Sequence, residues 1–162
     1  MQATRKTTIV NQDSVIQSVS KNYPGLTLMA GDNYYWSPGD KTVYYKPDNN
    51  TDEGAWALLH ETGHALLDHL QYYSDVELVM MEVSAWEKAK ELAYEQGFEI
   101  DEDHVQDCLD SYRDWLHKRS LCPDCSLAGV QTDTQTYACI FCHKNWNVSA
   151  ERFCRPYRRK SI

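Results

Sequence analysis

Five consecutive residues, His60-Glu61-Thr62-Gly63-His64, constrain this sequence more than any other stretch of it. Successive side chains on a helix are turned by about 100°, so two histidines four apart stand about 40° from each other. Their imidazoles can converge on one ion, with Glu61 on the adjoining edge. On the same wheel Trp56, Leu59, Gly63, Leu66, Leu67 and Leu70 form an apolar arc beside the histidines. The helix thus reads as half core and half site. Thr51, followed by Asp52 and Glu53, is a good helix start because acidic side chains favour the positive end of the helix dipole. The pattern predicts a helix from about Asp52 to Leu70.

Two imidazoles with a carboxylate alongside suit Zn²⁺ with one open coordination position, and such a site needs a third protein ligand. His69 follows His60 by nine positions, about 180° round an unbroken helix, and is disfavoured. The metzincin pattern HExxHxxGxxH is not present. Glu82 is better placed, in Met81-Glu82-Val83-Ser84-Ala85-Trp86 on the next predicted helix, Val76 to Gln96. An antiparallel return brings its carboxylate over the histidine pair, Ala85 permits close approach, and Trp86 stands one turn beyond. Asp75 and Glu77 come too soon after the first helix for an easy return, and Glu87 faces away from Glu82. Asp68, one turn past His64, is a candidate acceptor behind that ligand.

A second constraint is the pair Cys122-Pro-Asp-Cys125 and Cys139-Ile-Phe-Cys142, thirteen residues apart. Each CxxC fits a tight turn that aims two thiolates at one ion, and four thiolates make a closed, structural Zn²⁺ site. The intervening Leu127 to Ala138, rich in Thr, Gln and Val, reads as a hairpin, so the segment is expected to be a zinc ribbon. Cys139-Ile-Phe-Cys142-His143 also matches the c-type haem string. That reading leaves Cys122 and Cys125 unexplained and is disfavoured. Cys108 is expected to be a buried thiol beside the apolar face of a helix, and Cys154 has no assigned role.

Composition divides at the same place. Residues 1 to 120 contain 10 basic and 21 acidic side chains, and residues 121 to 162 contain 6 and 3, with five of the six cysteines. Three domains are expected: 1–120 as a metallopeptidase domain, 121–150 as the ribbon, 151–162 as a basic tail carrying Arg152, Arg155, Arg158, Arg159 and Lys160. In the first piece Asp13 is read as the cap of a short helix holding Val15, Ile16 and Val19, stopped by Pro24-Gly25. Leu26 to Ala30, Tyr34 to Trp36 and Thr42 to Tyr45 read as strands, the last two joined by a turn. A third long helix begins near Asp101 to Asp103 and carries Val105, Leu109, Tyr112 and Leu116 on one face, with Lys118 and Arg119 in its last turn. One helix, a few strands and three helices make an α+β fold.

His60-Glu-Thr-Gly-His-Ala-Leu-Leu-Asp-His69 resembles the HE-x-GH-x-LL-x-H signature of the ImmA/IrrE family of bacterial metallopeptidases, and EVSAWEKA, Glu82 to Ala89, is similar to that family's glutamate helix. The likeness covers about residues 40 to 95. It implies a compact gluzincin core, with His60, His64 and Glu82 as zinc ligands and Glu61 as catalytic base. It also implies an edge strand beside the cleft, matched here to Thr42, Val43, Tyr44 and Tyr45, able to bind an extended peptide by strand addition. Family members are often encoded by mobile elements or stress-response loci, and some are linked to cleavage or inactivation of DNA-binding repressors, which makes a DNA-binding regulator one candidate substrate, although substrate identity does not carry over to this sequence. The sequence departs from the family in lacking an N-terminal helix-turn-helix and in its cysteine-rich end.

The expected function is therefore a zinc endopeptidase with two Zn²⁺ per chain, one catalytic and one structural. For oxyanion stabilisation the candidates are Tyr72, Tyr73, Tyr94 and His104. The competing reading is a zinc-ribbon adaptor or nucleic-acid-binding protein on an inert scaffold. The acidic main piece opposes approach to DNA, so contact by the ribbon or tail is not favoured. No apolar run reaches the roughly 20 residues that span a bilayer, and the opening MQATRKTTIVNQDS has no apolar leader core, so no membrane partner and a cytoplasmic location are expected.

Overall fold

The structure, a computed structural model, describes residues 10–149 and the strand at 158–160. Among these residues the chain is α+β, with four helices and two small sheets. It divides into two compact units, Met1–Leu70 with Met81–Val105, and Gln71–Met80 with Gln106–Ile162. This division lies inside two helices and differs from the compositional step at Ser120.

The first unit opens with α1 (Gln12–Asn22). Its cap is Asn11, not Asp13: the Asn11 carboxamide oxygen accepts from the Ser14 N–H at 2.9 Å, while Asp13 sits in the first turn, where its charge favours the helix dipole. Three strands follow, β1 (Thr27–Ala30), β2 (Tyr35–Ser37) and β3 (Thr42–Tyr45), in the spatial order β1-β3-β2. β3 runs parallel to β1, with Thr27 opposite Thr42, and antiparallel to β2, with Trp36 opposite Val43. The expectation that Thr42 to Tyr45 forms an edge is thereby corrected. β3 is the central strand, its backbone groups are taken on both sides, and it has no free edge to offer a peptide. Its turn with β2 has the expected Ser-Pro-Gly-Asp, completed by Lys41 at φ +52°.

Helix α2 (Asp52–Leu66) packs on β2, β3 and α1. Thr51 caps it as expected, its hydroxyl accepting from the Gly54 N–H at 3.1 Å. The helix stops four residues before the predicted Leu70. Asp68 adopts φ +52°, a left-handed conformation that a short polar side chain tolerates, and the chain leaves the helix there. Leu67 and Leu70, placed on the apolar arc by the wheel, are consequently exposed. The core of this unit joins Val15, Val19, Val43, Ala55, Leu58 and Leu59 to Ala85, Ala89 and Leu92 of α3 (Asp75–Glu95). Gly97, at φ +83°, follows that helix, and the Phe98 N–H donates to the Ala93 carbonyl.

The second unit begins with the first turn of α3, closed by a capping box. The Glu77 N–H donates to the Ser74 hydroxyl, and the Ser74 N–H donates to the Glu77 carboxylate, both at 3.2 Å. α4 (Glu102–Ser120) carries Trp115 and Leu116, which bury against Leu78, with Tyr72, Val79 and Tyr112 packed on them. Cys108 on this helix is half-buried, more open than expected. β4 (Val130–Asp133), β5 (Thr136–Ala138), β6 (Asn145–Val148) and β7 (Arg158–Lys160) form an antiparallel sheet in chain order. Part of the segment expected as a tail is thus a strand of this sheet. Arg152, Cys154 and Arg155 lie outside the described residues. Tyr137 and Trp146 stack at 5.6 Å over Cys122, Cys139 and Val148. Gly129 is required beneath them, since a Cβ there would lie 2.2 Å from the Trp146 ring.

Arg119 is buried at the end of α4 and fully engaged: it lies 4.5 Å over the Trp115 ring, donates to Tyr137 and to the carbonyls of Thr134 and Ser149, and pairs with Asp75 at 3.4 Å. Among the described residues no helix is long and apolar enough to cross a membrane.

Candidate metal centre

The local reason for the site lies in Gly63. A Cβ at this position would stand 2.5 Å from the Ala85 carbonyl oxygen, so α2 and α3 meet at a glycine against an alanine. That approach brings Glu82, one turn before Ala85, over the histidine pair. His60 Nε2 is 3.3 Å from Glu82 Oε2, and His64 Nε2 is 3.5 Å from Glu82 Oε1. A tetrahedral zinc ion bonded at about 2.0–2.1 Å has ligand–ligand edges of about 3.4 Å. The spacing of these atoms is that of ligands on one ion.

All three side chains are buried. Among the described residues, His60 Nε2 and Glu82 Oε2 are two of three buried polar side-chain atoms without a hydrogen bond, and they face each other. Buried polar atoms of this kind ordinarily find a partner, so an ion between them answers both at once. The donor set of two imidazole nitrogens and a carboxylate fits Zn²⁺. Without an ion, charge settles on the pair itself. Burial alone would lower the His60 imidazole, but Glu61 and then Glu82 push it up to about 9. Burial alone would raise Glu82, but His60 and His64 carry it down to about 2.

Glu61 occupies the other side of His60. Its Oε1 is 3.4 Å from His60 Nδ1, and its Oε2 accepts the Trp36 backbone N–H at 2.8 Å. Ligand atoms of His60, Glu61 and His64 all lie within 4.8 Å of one another, so the structure places three of the predicted site residues in one possible metal cluster, with the Glu82 carboxylate against both Nε2 atoms. The Trp86 ring stacks on His60 at 4.3 Å, and His104 meets Trp86 edge-on and Trp56 at 5.0 Å.

The other predicted residues divide. Asp75 pairs with Arg119, and Glu77 caps α3, so neither early rival of Glu82 is available as a ligand. Tyr73 and Tyr94 are exposed, and Tyr72 packs in the second unit. Asp68 is exposed, and the partner behind His64 is instead His69, whose Nδ1 lies 2.8 Å from His64 Nδ1. Burial and then the neighbouring His64 hold the His69 imidazole below its ordinary value. Sequence reasoning missed His69 because it assumed a continuous helix. It missed Trp36 and Ser84 altogether. An aspartate tolerant of positive φ just before His69 is the one signal that could have found the bend. Nothing in the strand Tyr35–Ser37 marks a backbone amide that meets Glu61.

In the second unit Cys122, Cys125, Cys139 and Cys142 also bring their sulfurs within 4.8 Å of one another and form a second possible metal site, in a module compatible with a zinc ribbon. Two sulfur pairs, Cys122–Cys142 and Cys125–Cys139, lie 3.5 Å apart, close to the edge of about 3.8 Å expected for a ZnS₄ tetrahedron. The two turns repeat each other. The Ser126 N–H donates to the Cys122 carbonyl and the His143 N–H to the Cys139 carbonyl, and Ser126 and His143 both take positive φ, 62° and 59°. The Cys142 N–H, then that of Phe141, hold the Cys139 thiol down to about 7. The Lys144 N–H favours the Cys142 thiolate, but Cys122, burial and the remaining thiols push it up to about 12. With all four sulfurs in one cluster, His143 serves the turn, and the haem string has no separate cysteine pair to itself.

No protein-family model, curated protein or solved structure matches this chain.

Proposed function

We propose that this chain is a zinc-dependent endopeptidase acting on a protein substrate, with His60, His64 and Glu82 as ligands of a catalytic ion and Glu61 as general base. The observation that supports it is the buried meeting of two histidine Nε2 atoms with one carboxylate at tetrahedral edge lengths, with a second carboxylate alongside. Zinc held there would polarise a peptide carbonyl and lower the pKa of its water to about 7. Glu61 takes the proton of the attacking water and delivers it to the leaving amine. The Trp36 N–H fixes one Glu61 oxygen, and the other, 3.4 Å from His60 Nδ1, is the one that would exchange the proton. Since Trp36 faces Val43 and its N–H points away from β3, the outer edge of β2 runs beside Glu61. The Trp36 amide on that edge is spent on holding the base, so it is not a free donor for an incoming peptide strand.

The four cysteines hold a second, structural zinc, and the ribbon they close serves to dock or present the substrate. The ImmA/IrrE-like motif favours a regulatory protein as that substrate and the cytoplasm as the compartment.

Metal analysis of the intact protein should give two zinc per chain, falling to one in His60→Ala. Incubated with cell lysate, wild type should deplete specific proteins that Glu61→Gln spares. Identical proteomes from the two would overturn the peptidase reading and leave the adaptor, which needs no carboxylate beside the histidines.

A further inference from the structure

Resting on the metal site just proposed, we infer that His69 is a positioning residue: it fixes which nitrogen of His64 is bare, and so aims that ligand at the ion. The chain of contacts begins at a backbone carbonyl. The Ser84 hydroxyl donates to the Met81 carbonyl at 3.0 Å, which leaves its oxygen to accept from His69 Nε2 at 3.4 Å. His69 then carries its proton on Nε2, and its Nδ1 is an acceptor. Across 2.8 Å that acceptor receives a hydrogen bond from His64 Nδ1–H. His64 Nε2 is left bare, and it is this nitrogen that faces Glu82 at 3.5 Å. A bare nitrogen and a carboxylate oxygen repel unless a cation or a proton lies between them, so the network prepares the position for a metal.

The backbone holds His69 in this role. Asp68 at φ +52° turns the chain back over the end of α2, the His69 N–H donates to the His64 carbonyl at 3.1 Å, and the Trp36 indole N–H donates to the His69 carbonyl at 2.9 Å. Three elements therefore orient one imidazole: the end of α2, the β2 strand through Trp36, and α3 through Ser84. Outer-sphere partners of metal-bound histidines fix the tautomer and raise ligand basicity, and their loss weakens metal binding by about 10- to 100-fold.

Zinc affinity at the histidine site of the full-length protein, read by competition with a chromophoric chelator while the four-cysteine site stays filled, tests this. His69→Leu should weaken binding by about 10- to 100-fold. His69→Gln, whose amide oxygen can accept from His64 Nδ1, should recover most of the loss. Nitrogen-15 NMR of zinc-loaded wild type should find His64 protonated on Nδ1. Wild-type affinity in His69→Leu, or a proton on His64 Nε2, would overturn the role of His69 while leaving the metal site standing. A wild-type protein that takes no zinc at its histidines would overturn both.

Discussion

His60 and Glu82 depend on each other, and the sign of that dependence predicts opposite pH behaviour with and without metal. In the metal-free protein His60 titrates near 9, above the ordinary 6.5. Its contribution to stability is complete below pH 6.5 and lost as pH rises through 9. Glu82, shifted from 4.5 to about 2, contributes fully above pH 4.5 and loses its contribution as pH falls through 2. Chemical denaturation of metal-stripped protein should therefore find His60 and Glu82 most stabilising between pH 4.5 and 6.5, with Glu61 the larger partner of His60 on the alkaline side. The alkaline loss should shrink in Glu82→Gln. Zinc must displace the His60 proton, so its affinity should instead rise with pH up to about 9. Those opposed slopes distinguish an ion-ready pair from an ordinary buried ion pair.

Elements meet at Gly63 and at the two cysteine turns, and each junction predicts a different response to a single methyl or its removal. Gly63→Ala sets a Cβ against the Ala85 carbonyl at 2.5 Å, a backbone atom that cannot swing aside. Thermal melting should show a loss of about 1–3 kcal/mol, with weaker zinc binding because Glu82 moves with α3. His143→Gly should act the other way. His143 holds φ +59° after its CxxC, where glycine has no Cβ to clash, so the substitution should stabilise the four-cysteine module by about 1 kcal/mol. The helix starts were legible in sequence where a short polar side chain caps the chain, as at Thr51. The end of α2 was not, because the hydrophobic arc continues through Leu67 and Leu70 and outweighs the single aspartate that marks the bend at Asp68.

At the scale of the whole molecule, the two units rest on different sources of stability. The first has an apolar core from Val15 to Leu92, whereas the second has two small clusters, one around Trp115 and Leu116 and one in which Tyr137, Trp146 and Val148 pack on Cys122 and Cys139 while Cys125 and Cys142 stay exposed. A cluster of that size would gain much of its folding free energy from a metal held by the four thiols. Cys139→Ser should lower zinc content by one per chain and abolish the dispersed NMR signal of the Trp146 indole, which donates to the Arg119 carbonyl at 3.1 Å. Loss of zinc without loss of that signal would show that the aromatic stack suffices alone.

By itself the sequence determined the α+β class, four helices close to their true positions, the nearness of Glu82 to the HExxH histidines, and four cysteines in one cluster. Those are consequences of short-range spacing: a helical period, a cap, a CxxC turn. Only the tertiary structure decided that β3 is central, that β2 is an outer strand whose Trp36 N–H meets Glu61, and that His69 stands behind His64. Strand order follows from which chain segments pair across space, and a single residue at positive φ redirects everything after it. Neither leaves a periodic trace, so the wheel that found His60 and His64 pointed His69 the wrong way.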